Sequence, residues 1–265
     1  CGISIQSDEK SDSASSAQAL CGIALSEDYF TTLAFVDVKS DGEREFSFAR
    51  NHGADKMLEK GDIPLELIRS SGILHIGSIS LTDEPARSTT LFAVQKAKEA
   101  GCVISYDPNY RASLWKSEEL AKKQMRSMIP YADLMKISEE ETQLLTGEND
   151  YQKAAEALMH GGVKIVIVTL GKIGAYVHTK QGGALVKGFR NKAVDATGAG
   201  DAFWGGFLFQ FSRCGKSPEA VTTEEAAELA DFGNAVASVC VQKHGAIPAM
   251  PDMARVMEQL KEERL

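Results

Sequence analysis

The sequence predicts an α/β fold: a doubly wound, mostly parallel sheet with helices on both faces, preceded by a β-hairpin. Two observations carry this. From about residue 60 onward, short apolar runs alternate with longer segments of helical period, and repeated βα units imply parallel strands. Before that point, two arms rich in Thr, Phe and Val flank an Asp-Gly turn, the pattern of a hairpin. At 265 residues and 43% hydrophobic content, the chain can bury one α/β core and carry a small appendage.

Taken in order, residues 1–29 are expected to be poorly ordered or divergent, because 4–19 are polar and rich in Ser, Ala and Asp. The tripeptide Cys-Gly-Ile stands at 1–3 and again at 21–23. Residues 30–52 form the lid hairpin, with arms 31–38 and 43–50 around Lys39-Ser40-Asp41-Gly42. Phe46 and Phe48 alternate with polar or small neighbours, so one face of the second arm is apolar. Residues 53–265 form the core. Strands are predicted at 73–79, 102–106, 134–137 and 164–169, with a hairpin at 175–178 and 184–187 across Gly182-Gly183. Helices are predicted at 85–100, ended by Gly101, and at 117–129, capped by Ser117. Further helices cover 139–146, stopped by Gly147, then 151–160, a glycine-led helix from 199 and a long helix at 223–241. In such sheets ligands sit at the carboxyl ends of the strands.

Composition excludes several functions. A net charge of −8 argues against a general nucleic-acid surface. Cys1, Cys21, Cys102, Cys214 and Cys240 are scattered and odd in number, which fits reduced thiols and a cytoplasmic location. The five histidines lack zinc-site spacing. No apolar run reaches the roughly 18–20 residues of a membrane span, and no signal peptide is expected.

The most informative segment is Val194-Asp195-Ala196-Thr197-Gly198-Ala199-Gly200-Asp201-Ala202-Phe203. Glycines are a poor helix start, each costing about 1 kcal/mol against Ala in a helix interior. They suit an anion site, because bare N–H groups and the dipole meet at a helix N-terminus. Gly198, Ala199, Gly200 and Asp201 would supply main-chain N–H groups to a transferring phosphoryl group. Asp201 itself would repel a phosphate unless it takes the proton of the attacking hydroxyl. A plain capping role for Thr197 and a dipole role for Asp201 form the simpler alternative, but capping needs no pair of glycines. The sequence has no G-x-x-x-x-G-K-[ST] loop, and Phe203 stands where the dinucleotide fingerprint needs its third glycine, so P-loop and Rossmann readings are disfavoured.

This segment resembles the C-terminal signature of the ribokinase-like (PfkB-type) carbohydrate kinases, and the resemblance runs from about Thr31 to Pro251. It implies Asp201 as catalytic base, residues 198–201 as anion hole, and Asp195 and Thr197 near a monovalent cation, K+. Asp107-Pro108-Asn109-Tyr110-Arg111 with Leu114-Trp115 is similar to a segment of the family's fructokinases and 2-keto-3-deoxygluconate kinases, which points Asn109 and Arg111 at the sugar or the phosphate path. On turn chemistry alone the same residues are a Pro-Asn turn after a strand. Ser138-Glu139-Glu140-Glu141 resembles the family's N-x-x-E, with Ser138 for Asn, so Glu141 is implied in the Mg2+ shell; helix-start acidity is the alternative. Thr169-Leu170-Gly171 resembles a nucleotide-phosphate loop, and Asn234 and Gly245-Ala246 resemble the segment around adenine and the cation, although an Asn on a helix also serves as a local backbone partner. The hairpin resembles half of a water-excluding lid, with Arg50 and Phe48 either touching substrate or packing the lid.

The resemblance implies an ATP-dependent, Mg2+-dependent sugar kinase of fructokinase type, with sugar and ATP as its partners and a homodimer through the lids. The family's first strand, with its substrate-binding Asp and a G-G-x-x-x-N segment, has no counterpart in residues 1–29, so roughly 80 residues of the family pattern are expected to be absent. The alternatives are a 2-keto-3-deoxygluconate or ribose kinase, or a non-catalytic nucleotide-binding remnant.

Overall fold

The computed structural model describes residues 22–38 and 44–265. The expectations for 1–21 and for the Asp41-Gly42 turn fall outside the described residues. Strands β1 (Leu33–Val38) and β2 (Arg44–Ala49) pair antiparallel, from Leu33 opposite Ala49 to Val38 opposite Arg44. Leu33, Phe35 and Val36 are all exposed, so the hairpin stands away from the core.

The core sheet has six strands in chain order: β3 (Ile73–Gly77), β4 (Val103–Asp107), β5 (Leu134–Ser138), β6 (Ile165–Thr169), β7 (Gly174–Thr179) and β8 (Gly182–Lys187). The first four pair in parallel, and the last two add antiparallel. The first predicted strand is shorter than expected, because after Gly77 the chain turns into a short 3-10 segment, Ile79–Leu81. Likewise the helix predicted at 139–146 begins as a 3-10 turn, Glu139–Glu141.

Helices cover both faces. After a short α1 (Leu65–Ser70), α2 (Ala86–Glu99), α3 (Glu118–Met128), α4 (Thr142–Thr146) and α5 (Tyr151–His160) follow in step with the strands. Val94, Met125 and Leu158 of this set pack with Ile104, Tyr106, Met135, Ile137, Val166 and Val168. The opposite face receives α6 (Ala199–Arg213) and α7 (Thr223–Cys240), whose Phe203, Phe207, Phe211 and Ala230 pack on Leu134, Ile165, Ile167 and Val177. A last helix, α8 (Met253–Gln259), closes against α7. The period-two alternation of sheet side chains makes this double burial possible, and each large side chain so buried contributes about 1.5–3 kcal/mol. The starts are capped as the sequence suggests: Ser117 Oγ accepts from Leu120 N at 3.2 Å, and Gly147 adopts the left-handed conformation that ends α4.

One polar contact fixes α6 on the sheet. Trp204 Nε1 donates to Ser105 Oγ at 2.9 Å, and both residues are buried. Ser105→Ala leaves the indole N–H without its acceptor, so the variant should lose about 1–3 kcal/mol in denaturant unfolding. Unchanged stability would remove this contact from the account.

Candidate active site

The parallel strands end on one edge of the sheet, and α6 begins above those ends. Gly198, at the N-cap, has φ of 78°. A Cβ there would lie 2.6 Å from the Ala246 Cβ, so conformation and space both require glycine. A Cβ at Gly200 would lie 3.0 Å from the Lys136 ammonium, which explains the second glycine.

The amides of this turn divide unequally. The Thr197 N–H donates to Asp195 Oδ1 at 2.8 Å, and the Ala199 N–H donates to the Ala196 carbonyl at 3.1 Å. The N–H groups of Gly198, Gly200 and Asp201 have no protein acceptor among the described residues. The expected cradle is therefore corrected at Ala199, whose N–H closes the turn instead. Asp201 stands in the first turn of α6 beside these amides. Partial desolvation, and then the Asp107 carboxylate, push its pKa up; Lys136, Arg111 and His75 oppose the rise.

Strands β4 and β5 bring a further pair to the same place. Lys136 Nζ donates to Asp107 Oδ2 at 2.7 Å, with both side chains almost wholly buried. Next to them, Glu141 accepts the Tyr110 N–H on Oε1 at 2.6 Å and the Ser138 N–H on Oε2 at 2.8 Å. It thus clasps the loops that follow both strands. Burial raises its pKa, Asp107 raises it further, and the two main-chain donors and Lys136 work against them.

The remaining expected residues fall into two groups. Arg111 lies close enough to act on Asp201 electrostatically, and Asn109, exposed and at φ of 47°, shapes the same loop. Thr169 and Gly171 follow at the end of β6. Asp195 joins the loop before α6 to the loop after α7, its Oδ2 accepting the Gly245 N–H at 2.9 Å. Asn234 turns its amide to the Val186 and Lys187 carbonyls at 3.2 and 3.3 Å, so it pins β8 to α7. Arg50 is not brought to this cluster. It is 8% exposed and bound to Asp55, to Thr82 Oγ1 at 2.6 Å and to the Ile79 carbonyl at 3.0 Å. It packs at the root of the hairpin, the second of its two expected roles, and these partners occupy most of its donors.

Lys136 was not singled out in the sequence. Its signal was a lone lysine in the apolar run Leu134-Met135-Lys136-Ile137, since a buried lysine is almost never unpaired.

The fold and this edge of the sheet define an α/β phosphotransferase-like site: a carboxylate at a glycine-led helix start, with basic and acidic groups converging from neighbouring strand ends. Comparison with known proteins gives its class. Residues 22–253 match the pfkB family carbohydrate kinase profile, and the chain belongs to that family. It is 42% identical over 243 residues to Fructokinase-2 of Solanum habrochaites, covering 91% of this chain and 73% of that protein. The crystal structure of fructokinase with bound ATP from Xylella fastidiosa matches with a TM-score of 0.81 at 29% identity, over 89% of this chain and 75% of that one. That of fructokinase from Vibrio cholerae O395, in its fructose-, ADP- and calcium-bound form, matches with a TM-score of 0.77 at 32% identity, over 86% and 73%.

Proposed function

We propose that this chain transfers the γ-phosphoryl group of ATP to a hydroxyl of fructose. The observation that carries the reading is the Asp201 carboxylate standing beside the unclaimed N–H groups of Gly198, Gly200 and Asp201. Asp201 orients the attacking hydroxyl and accepts its proton late, because a carboxylate is a weak base toward an alcohol. The three amides face the charge that grows on the transferring group. Arg111, with planar donors, and Asn109 line the approach of sugar or phosphate. Thr169 and Gly171 belong to the nucleotide-phosphate loop. Asn234 and Gly245 act there by placing the main chain, since their hydrogen bonds hold β8 and Asp195.

The donor set suits a hard cation. Asp107 Oδ1 is buried without a hydrogen-bond partner, and Glu141 and Asp201 add carboxylate oxygens nearby. Among the described residues no three acidic or sulfur and imidazole ligands form one closed metal cage. Mg2+ needs only one or two protein carboxylates, such as Glu141, and would complete its shell with phosphate and water. Bound there, Mg2+ neutralises charge on the phosphates. The loops carrying Asp195, Thr197 and Gly245 are the place for K+.

Among the described residues no helix is long and apolar enough to cross a membrane, and Cys102, Cys214 and Cys240 are free thiols. The free thiols support a cytoplasmic enzyme. The exposed Leu33, Phe35 and Val36 support a homodimer through the lids.

A coupled ADP-release assay with fructose, ribose and 2-keto-3-deoxygluconate tests the reading. Turnover is expected to be highest with fructose. Preference for another sugar would reassign the acceptor, and ATP binding without any turnover would leave a nucleotide-binding remnant.

A further inference from the structure

Lys136 occupies a position that a cation should avoid. It lies on β5 with its side chain 7% exposed, and its ammonium reaches the first turn of α6, where the helix dipole is already positive. A Cβ on Gly200 would meet both Nζ, at 3.0 Å, and Cε, at 3.6 Å, so the ammonium lies against the main chain that carries the Gly200 and Asp201 N–H groups. An ammonium has three N–H donors. Asp107 Oδ2 takes one at 2.7 Å, and the other two have no acceptor among the described residues. The pair is underused on the other side too, because Asp107 Oδ1 has no donor. A buried ion pair costs several kcal/mol of desolvation per ion unless its remaining valences are satisfied. Here the unsatisfied donors of Lys136 and the unclaimed amides of α6 face the same small volume. The acceptor that would satisfy them all is a compact, multiply charged oxyanion.

We propose that Lys136 binds the γ-phosphoryl group of ATP, completing with the Gly198, Gly200 and Asp201 amides a single anion hole held in place by Asp107. The proposal rests on the kinase reading above and adds a direct contact to it. An ammonium at this point follows the phosphoryl group as it leaves ADP, and it offsets the repulsion between that group and the carboxylates of Asp107, Glu141 and Asp201. It also bears on Gly200: a side chain there would crowd the ammonium, whose Nζ lies 3.0 Å from the Cβ position.

The test compares ATP and ADP affinities by calorimetry, in Mg2+-containing buffer, for the wild type and for Lys136→Met, Asp107→Asn and the double variant. Lys136→Met should weaken ATP by about 10–100-fold, the range of a hydrogen bond to a charged group, and ADP by less than about threefold. The double variant removes both charges and so avoids a stranded carboxylate; it should melt near the wild type yet keep the selective loss of ATP affinity. Asp107→Asn, which keeps the ammonium but loosens its anchor, should weaken ATP less than Lys136→Met does. Equal weakening of ATP and ADP, or unchanged ATP affinity in the double variant, would overturn the proposal. A wild type that binds ATP but phosphorylates no sugar would sink the sugar-kinase reading while the ATP-to-ADP comparison still decides Lys136. A wild type that binds neither nucleotide would end both.

Discussion

Asp201→Asn should lower kcat by about 10²–10⁴-fold and leave ATP affinity within about threefold of the wild type. The amide side chain fits the same space but takes no proton, and it leaves the Gly198, Gly200 and Asp201 main-chain donors in place. Stability should move the other way. Asp201 holds its proton more tightly folded than unfolded, because of desolvation and the nearby Asp107. A raised carboxyl pKa contributes stability that is complete below the unfolded value, near 3.8, and is lost as pH rises through the folded value. At neutral pH the ionised group therefore strains the fold, and the Asn variant should melt at or above the wild-type temperature. The gap should close as the buffer is acidified through that window. The same rise moves the acid limb of the kcat/KM profile, which reports the free enzyme, above the ordinary aspartate range. Turnover retained by Asp201→Asn would remove this carboxylate from the chemistry, and a variant less stable at pH 7 would show that its role is structural.

Gly198→Ala should be the second severe change. A left-handed conformation costs an L-residue about 1–2 kcal/mol, and the new methyl group would stand 2.6 Å from the Ala246 Cβ. Ala246 must move, and with it the neighbouring Gly245 N–H that holds Asp195. Displacements near 1 Å at a reacting centre cost on the order of 10²-fold in rate. Gly205→Ala in the same helix is the control. Its φ is ordinary and no atom lies within 4 Å of the added carbon, so it should raise stability by about 0.5–1 kcal/mol at unchanged kcat. If both alanines behaved alike, the local geometry at the N-cap would carry no functional weight.

How much of this was legible in the sequence depended on range. The strands and helices from Ile73 to Cys240 follow from local period and from punctuation such as Gly101 and Gly147, which act on their own neighbours. Helix α8 was missed because seven residues scarcely establish a period. The glycine-led start of α6 around Asp201 was legible because the glycine pair and the helix start are adjacent in the chain. Lys136 with Asp107 was not, since the pair joins residues 29 apart and exists only once β4 and β5 lie side by side. Arg50 stayed open between two roles for the same reason. An arginine near a lid suits a sugar equally well until Asp55, Thr82 and Ile79 are seen to enclose it.

The chain-ordered sheet also bears on how the enzyme comes into being. Each of β4 to β8 pairs with the strand made just before it, so a growing polypeptide can lay down the sheet one unit at a time, through helical crossovers as far as β6 and tight turns after it. Helix α6 breaks that rhythm: Trp204 returns to Ser105 across 99 residues, and it carries Asp201 with it. The α6 end of the sheet is thus assembled after its scaffold, and a half-made chain lacks Asp201 altogether.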